Sequence, residues 1–152
     1  MHQIFFEEIS PSPGEEITKF LYNLLLSRDY SISHEKMPSY KSHKKFVAKN
    51  PYFKWFLLRL NNILIGSLYI NCDNSVAITL MREYKFLTQE VITLFEESFE
   101  PQSEIKSYRY KDFFFNVNPN DKHMIDVLHG EKQNSPDPDG YIYRAKKKNM
   151  RM

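Results

Sequence analysis

A three-layer α/β domain with a mixed sheet is the fold class this sequence predicts, on three observations. The chain has 152 residues, the length of one domain with a core large enough to fold alone. Hydrophobic residues make up 41% and charged residues 26%, which is neither a disordered nor a membrane composition. Apolar patterns follow the order strand, helix, helix, three meandering strands, helix, strand, helix, strand.

Each element has its own local cause. His2 to Ile9 is aromatic enough for a first strand, and Ser10-Pro11-Ser12-Pro13-Gly14 then breaks the chain. From Glu15, apolar Ile17, Phe20, Leu21, Leu24 and Leu25 fall on one helix face. Glu15 and Glu16 at its start and Arg28 at its end suit the helix dipole. Pro38-Ser39 opens a second helix through about Lys49, with Tyr40, His43, Phe46 and Val47 on one side, and Asn50-Pro51 ends it. Trp55 to Leu60 and Ile63 to Ile70 are strand-like runs around Asn61-Asn62, a two-residue hairpin turn that tolerates positive φ. Asn71-Cys72-Asp73-Asn74 turns the chain into a strand from Val76 to Met81. Thr88 can cap a third helix with Val91, Ile92, Phe95 and Phe99 on its apolar face, stopped by Pro101. Asp112 to Val117, with three consecutive phenylalanines, suits a strand buried on both faces. Asn120 or Asp121 can cap a short helix carrying Met124, Ile125 and Leu128. A polar loop from Gln133 to Gly140 leads to a last strand, Tyr141 to Ala145.

Composition excludes several function classes. No apolar run approaches the ~18 residues of a membrane-spanning helix. The stretch Met1 to Glu8 lacks the basic start and long apolar run of a signal peptide. Cys72 is the one cysteine, so no intrachain disulfide or multi-cysteine metal site can form. These bounds predict a soluble cytoplasmic protein. The net charge of +2 is uneven, because Arg144, Lys146, Lys147, Lys148 and Arg151 lie within the last twelve residues with no acid among them. The remaining sixteen basic and nineteen acidic residues give a body of −3. The sequence therefore divides into a single domain over 1–145 and a basic tail over 146–152, and no nucleic acid partner is expected.

The five histidines, His2, His34, His43, His123 and His129, have no H-x-x-x-H or H-E-x-x-H spacing, so no metal is expected. His43, on the apolar side of its helix, is read as a packing residue. Tyr40, Tyr69, Tyr84, Tyr108 and Tyr110 are read mostly as core, with a pocket lining as the alternative.

Two stretches carry a family resemblance: "ISHEKMPSYKSHKKFVAKNPYFKWFLLRLNNILIGSLYI" (Ile32 to Ile70) and "FFFNVNPNDKHMIDVL" (Phe113 to Leu128). With the element order, they resemble the GNAT superfamily, the acetyl-coenzyme A-dependent N-acetyltransferases. The first is similar to a bacterial subset in which an SH-x-x-MP segment precedes the second helix and IGS lies in the third strand. The resemblance covers about residues 15 to 128. It implies a three-layer αβα fold with a central mixed, mostly antiparallel sheet. It also implies acetyl-CoA as co-substrate and transfer of an acetyl group to a small-molecule amine acceptor. A catalytically silent GNAT-like domain used for binding or assembly is the alternative, and a homodimer is left open.

The same resemblance assigns site residues. The fourth strand would bond the pantetheine arm through the backbone of Ile78 and Leu80. In the family, a glycine-rich loop and the start of the third helix hold the donor's pyrophosphate. Here that segment is Arg82-Glu83-Tyr84-Lys85-Phe86-Leu87-Thr88, without glycine. Arg82, Lys85 and Thr88 are then the expected anion contacts. A donor in another pose, a different donor, or an inactive site are the other readings. Asn118 and Asn120, flanking Pro119, help position the donor or cap the turn. His34 and Glu35 lie in the linker that usually builds the acceptor pocket, Glu35 as a base or ammonium contact and His34 as a titrating group. Their other reading is as capping or salt-bridging loop residues. Asp121 matches the family's usual Asn and Leu128 its usual Tyr acid. Leu128 cannot donate a proton, and His129 is one position on.

Overall fold

The structure, a computed structural model, describes residues 3–28, 38–118, 120–128, 132–134 and 141–144, the last two segments by their backbone. The elements are β1 (Ile4–Glu8), α1 (Glu15–Leu26), α2 (Tyr40–Lys49), β2 (Lys54–Leu60), β3 (Ile63–Ile70) and β4 (Val76–Leu80). A 3-10 helix (Arg82–Leu87), α3 (Thr88–Ser98), β5 (Phe114–Val117), α4 (Lys122–Leu128), β6 (Lys132–Asn134) and β7 (Tyr141–Arg144) follow.

Local chemistry explains most boundaries. Ser39 caps α2 by accepting the Ser42 backbone N–H at 3.1 Å. Asn50 closes that helix in the left-handed region at φ 45°. Asn61, at φ 55°, permits the two-residue hairpin that sets Leu60 opposite Ile63. The Asp121 carboxylate accepts the Met124 N–H at 3.2 Å and starts α4.

β1 to β4 form an antiparallel sheet in sequence order, and β5, β7 and β6 form a second antiparallel group. Among the described residues one parallel bridge, Ser75 opposite Phe114, joins the two. Leu58, Ile65, Leu68 and Phe115 pack beneath α3 and α4 with Val91 and Phe95. Trp55 and Leu57 pack beneath α1 and α2 with Leu21, Leu24 and Val47. The result is the three-layer αβα arrangement with a mixed, mostly antiparallel sheet. Phe113, Phe114 and Phe115 are all buried, as the run of three suggested.

Three expectations need correction. Thr88 does not cap α3: its own backbone is helical and its N–H bonds the Lys85 carbonyl. The preceding segment holds Arg, Glu, Lys and Leu and no breaker, so it winds into the 3-10 helix up to α3. β5 begins at Phe114, because Asp112 precedes the point where the chain meets β4. β6 takes Lys132–Asn134 out of what reads as loop. That short polar segment has no apolar alternation, and its strand character comes from pairing with β7.

Candidate active site

The site begins where β4 and β5 part. The Phe114 N–H bonds the Asn74 carbonyl at 3.2 Å, and beyond this point each strand follows another partner. β4 pairs with β3 and β5 pairs with β7. A wedge therefore opens towards Leu80 and Val117.

Asn74 holds the narrow end. It is fully buried and sits at φ 74°. Its Nδ2 donates to the carbonyls of Gln102 at 2.9 Å and Tyr110 at 2.6 Å. Its Oδ1 accepts the Gln102 backbone N–H at 3.0 Å and Nε2 at 3.1 Å. Arg109 adds a second clasp, its Nε donating to the Cys72 carbonyl at 2.6 Å. The loop before β5 is thereby fastened to the turn before β4, so the two strands start together.

Backbone alternation then fixes what faces the wedge. The Asn71 N–H bonds the Ser75 carbonyl at 2.8 Å. Counting on by twos, Ala77 and Thr79 direct their N–H and C=O groups to β3, and Ile78 and Leu80 direct theirs to the opening. Among the described residues no strand pairs with that edge of Ile78 or Leu80. The side chains alternate too. Val76, Ile78 and Leu80 belong to or pack against the core under α3 and α4. Ser75, Ala77 and Thr79 turn to the α1 face.

One cavity runs through the wedge and touches both faces. Ile78, Leu80, Lys85, Thr88 and Asn118, all singled out from the sequence, line it. Arg82 and Asn120 do not, and Asn120 donates its N–H to the Asn118 side chain at 2.9 Å within the turn. Leu128 is buried in the core. Glu35, His34 and His129 lie outside the described residues. Of the tyrosines, Tyr69 lines this cavity, and Tyr108 and Tyr110 line a second hollow against Phe114. Tyr84 packs on the core, and Tyr40 bonds Glu15 between α1 and α2. His43 is buried against the Tyr22 ring, and burial holds its pKa below the usual imidazole value.

The sequence reading missed His123. It lines the cavity from the first turn of α4, its Nε2 3.1 Å from the Thr88 hydroxyl. That hydroxyl donates its hydrogen to the Lys85 carbonyl at 2.7 Å, so it accepts from His123 Nε2–H. Nothing local marks this pair, whose members are 35 residues apart. Among the described residues no group of three His, Cys, Asp or Glu could hold a metal ion.

No protein-family model matches the chain, and no curated protein matches it in sequence. Solved structures do match it in fold. It is similar to an acetyltransferase from Thermus thermophilus at 11% identity and a TM-score of 0.65, over 95% of this chain and 98% of that one. It is similar to a dodecameric spermidine N-acetyltransferase from Vibrio cholerae at 13% identity and 0.63, over 93% and 91% of the two chains. It is also similar to the Campylobacter jejuni N-acetyltransferase PseH, in complex with acetyl coenzyme A, at 14% identity and 0.60, over 96% and 100%.

Proposed function

We propose that this chain, which has the fold of the GNAT acetyltransferases, transfers an acetyl group from acetyl-CoA to a small amine in the cleft between β4 and β5. The observation that carries the reading is the cavity that passes through the sheet, because a donor and an acceptor can enter from opposite faces and meet within it. On the α3 side, the outward backbone groups of Ile78 and Leu80 suit the amides of a pantetheine arm. Lys85 supplies a cation for the donor's phosphates. When bound, acetyl-CoA supplies the activated acyl group. The amine nitrogen bonds the acyl carbon, the carbon–sulfur bond breaks, the nitrogen gives up a proton and the departing sulfur gains one. Glu35 is the proposed base for that proton, His34 a proposed second titrating group and His129 the proposed substitute for the missing acid.

A specific observation favours the second reading, a silent binding domain. The Thr88 N–H and hydroxyl both serve the Lys85 carbonyl, where a glycine-rich loop would leave N–H groups for an anion. A cytoplasmic location, a homodimer and a separate tail over 146–152 belong to the proposal; among the described residues no helix is long and apolar enough to cross a membrane.

Acetyl-CoA titration decides between the two. At 100 times Kd, binding adds about 2.7 kcal/mol and should raise Tm by roughly 5–10 °C. No heat and no shift at millimolar ligand would leave the silent domain standing. A shift accompanied by thiol release with an amine present supports the enzyme.

A further inference from the structure

The acceptor half of the cleft has a charge pattern that selects a substrate class. Its wall on the α1 face is built from Ser27 and Arg28 after α1, Asn71 and Ser75 before β4, Thr79 on β4 and Asn116 on β5. All but Arg28 are uncharged. Apart from the Tyr69 phenol, the other charged or ionisable groups lining the cavity are Lys85, Asp121 and His123, which belong to the α3 and α4 side. Asp121 there caps α4. Among the described residues, then, the acceptor wall presents one cation and no carboxylate.

Arg28 is also positioned. Its backbone N–H bonds the Leu25 carbonyl at 3.3 Å, so it follows directly from the last turn of α1. Its positive charge works against burial on the Tyr52 phenol. Tyr52 stacks on Tyr69 at a ring separation of 3.7 Å, and Tyr69 lines the cleft. Burial, then the adjoining Tyr69 hydroxyl, holds the Tyr52 phenol above its ordinary range, so Tyr52 is a neutral ring beside the cation. No ion pair to Arg28 occurs among the described residues.

We infer that the acceptor is a primary amine carrying a carboxylate or phosphate, gripped by Arg28. The inference rests on the acetyl-transfer reading above. A second ammonium placed at Arg28 would meet repulsion. An anionic tail would meet a fork of N–H donors suited to two oxygens. With the tail at Arg28, the amino end is free to reach the split between Ile78 and Asn116.

The test uses the full chain, acetyl-CoA and three primary amines: β-alanine, ethanolamine phosphate and putrescine. Thiol release and calorimetric binding are both recorded. An anionic amine should show a KM at least ~10-fold below that of putrescine, and Arg28→Ala should raise it by ~10–100-fold, the scale of hydrogen bonds to a charged group. Arg28→Lys should keep part of the preference, since it keeps the charge and loses the fork. Whichever of β-alanine and ethanolamine phosphate binds better identifies the anion. Equal or better use of putrescine, or a preference that survives Arg28→Ala in a protein with an unchanged melting curve, overturns the inference. If no amine is acetylated, the calorimetry still decides: Arg28-dependent binding of an anionic amine keeps the anion site and removes acetyl transfer, and its absence removes the anion site.

Discussion

At the scale of single residues, Asn74 matters most to the shape of the site. Its amide makes four hydrogen bonds to Gln102 and Tyr110 from a fully buried position. Its backbone carbonyl receives the bond that starts β5. Asn74→Ala strands two carbonyls and two donors and puts at positive φ a residue that tolerates it less well than asparagine, so it should cost about 2–4 kcal/mol in urea denaturation. Asn74→Gly relieves the backbone and loses the same amide bonds. Equal losses in the two variants would assign the cost to the hydrogen bonds. In the sequence, Asn71-Cys72-Asp73-Asn74 reads only as a turn, because an asparagine in a turn has the same local signature whether its amide meets water or another loop.

Between elements, the approach of β3 to β4 depends on Gly66. A β-carbon built there would lie 2.3 Å from the Thr79 carbonyl oxygen and 2.9 Å from a Leu80 methyl group. The need for glycine is spatial, since no glycine among the described residues has positive φ. Gly66→Ala should destabilise the protein by about 1–3 kcal/mol. It should also weaken acetyl-CoA binding, because the displaced strand is the wall of the cleft; a stability loss with donor affinity intact would separate the two. The 3-10 helix before α3 carries the other element-scale expectation. Lys85 lines the donor end without a glycine cradle beside it. Lys85→Ala should therefore weaken acetyl-CoA binding by on the order of 1 kcal/mol at low salt and by less at moderate salt. Tight binding that ignores both salt and the substitution would mean that the phosphates are held elsewhere.

For the whole molecule, two groups in opposite layers give stability opposing pH dependences. His43, in the α1 and α2 layer, has its folded pKa below the ordinary imidazole value of 6.5 because burial disfavours the imidazolium. The unfolded chain then binds more protons, so stability is complete above about pH 6.5 and declines as pH falls through the folded value. Glu96, on α3, is raised by burial from 4.5 to about 7, and its Oε2 has no hydrogen-bond partner. Here the folded state binds more protons. Its contribution is complete below 4.5 and is lost as pH rises to about 7. Glu96→Gln should gain on the order of 1 kcal/mol at about pH 8 after discounting for its partial exposure, and nothing near pH 4. His43→Leu should flatten the acid limb alone. Urea melts across this range check both signs.

What the sequence determined by itself was local: the order of most elements, the helix ends at Ser39 and Asn50, a helix start at Asn120 or Asp121, and the hairpin at Asn61-Asn62. Each depends on backbone preferences within a few residues, and the order was enough to suggest the family fold. It also marked Ile78, Leu80, Lys85, Thr88 and Asn118, through a resemblance of segments. Tertiary structure alone decided where β4 and β5 separate, that Thr88 joins His123 instead of capping a helix, and that Arg28 faces the cleft. Those features depend on partners tens of residues away, such as the 28 and 36 residues from Asn74 to Gln102 and Tyr110. Such partners are chosen by the packing of the whole sheet, and nothing in the spacing of polar residues along the chain encodes them.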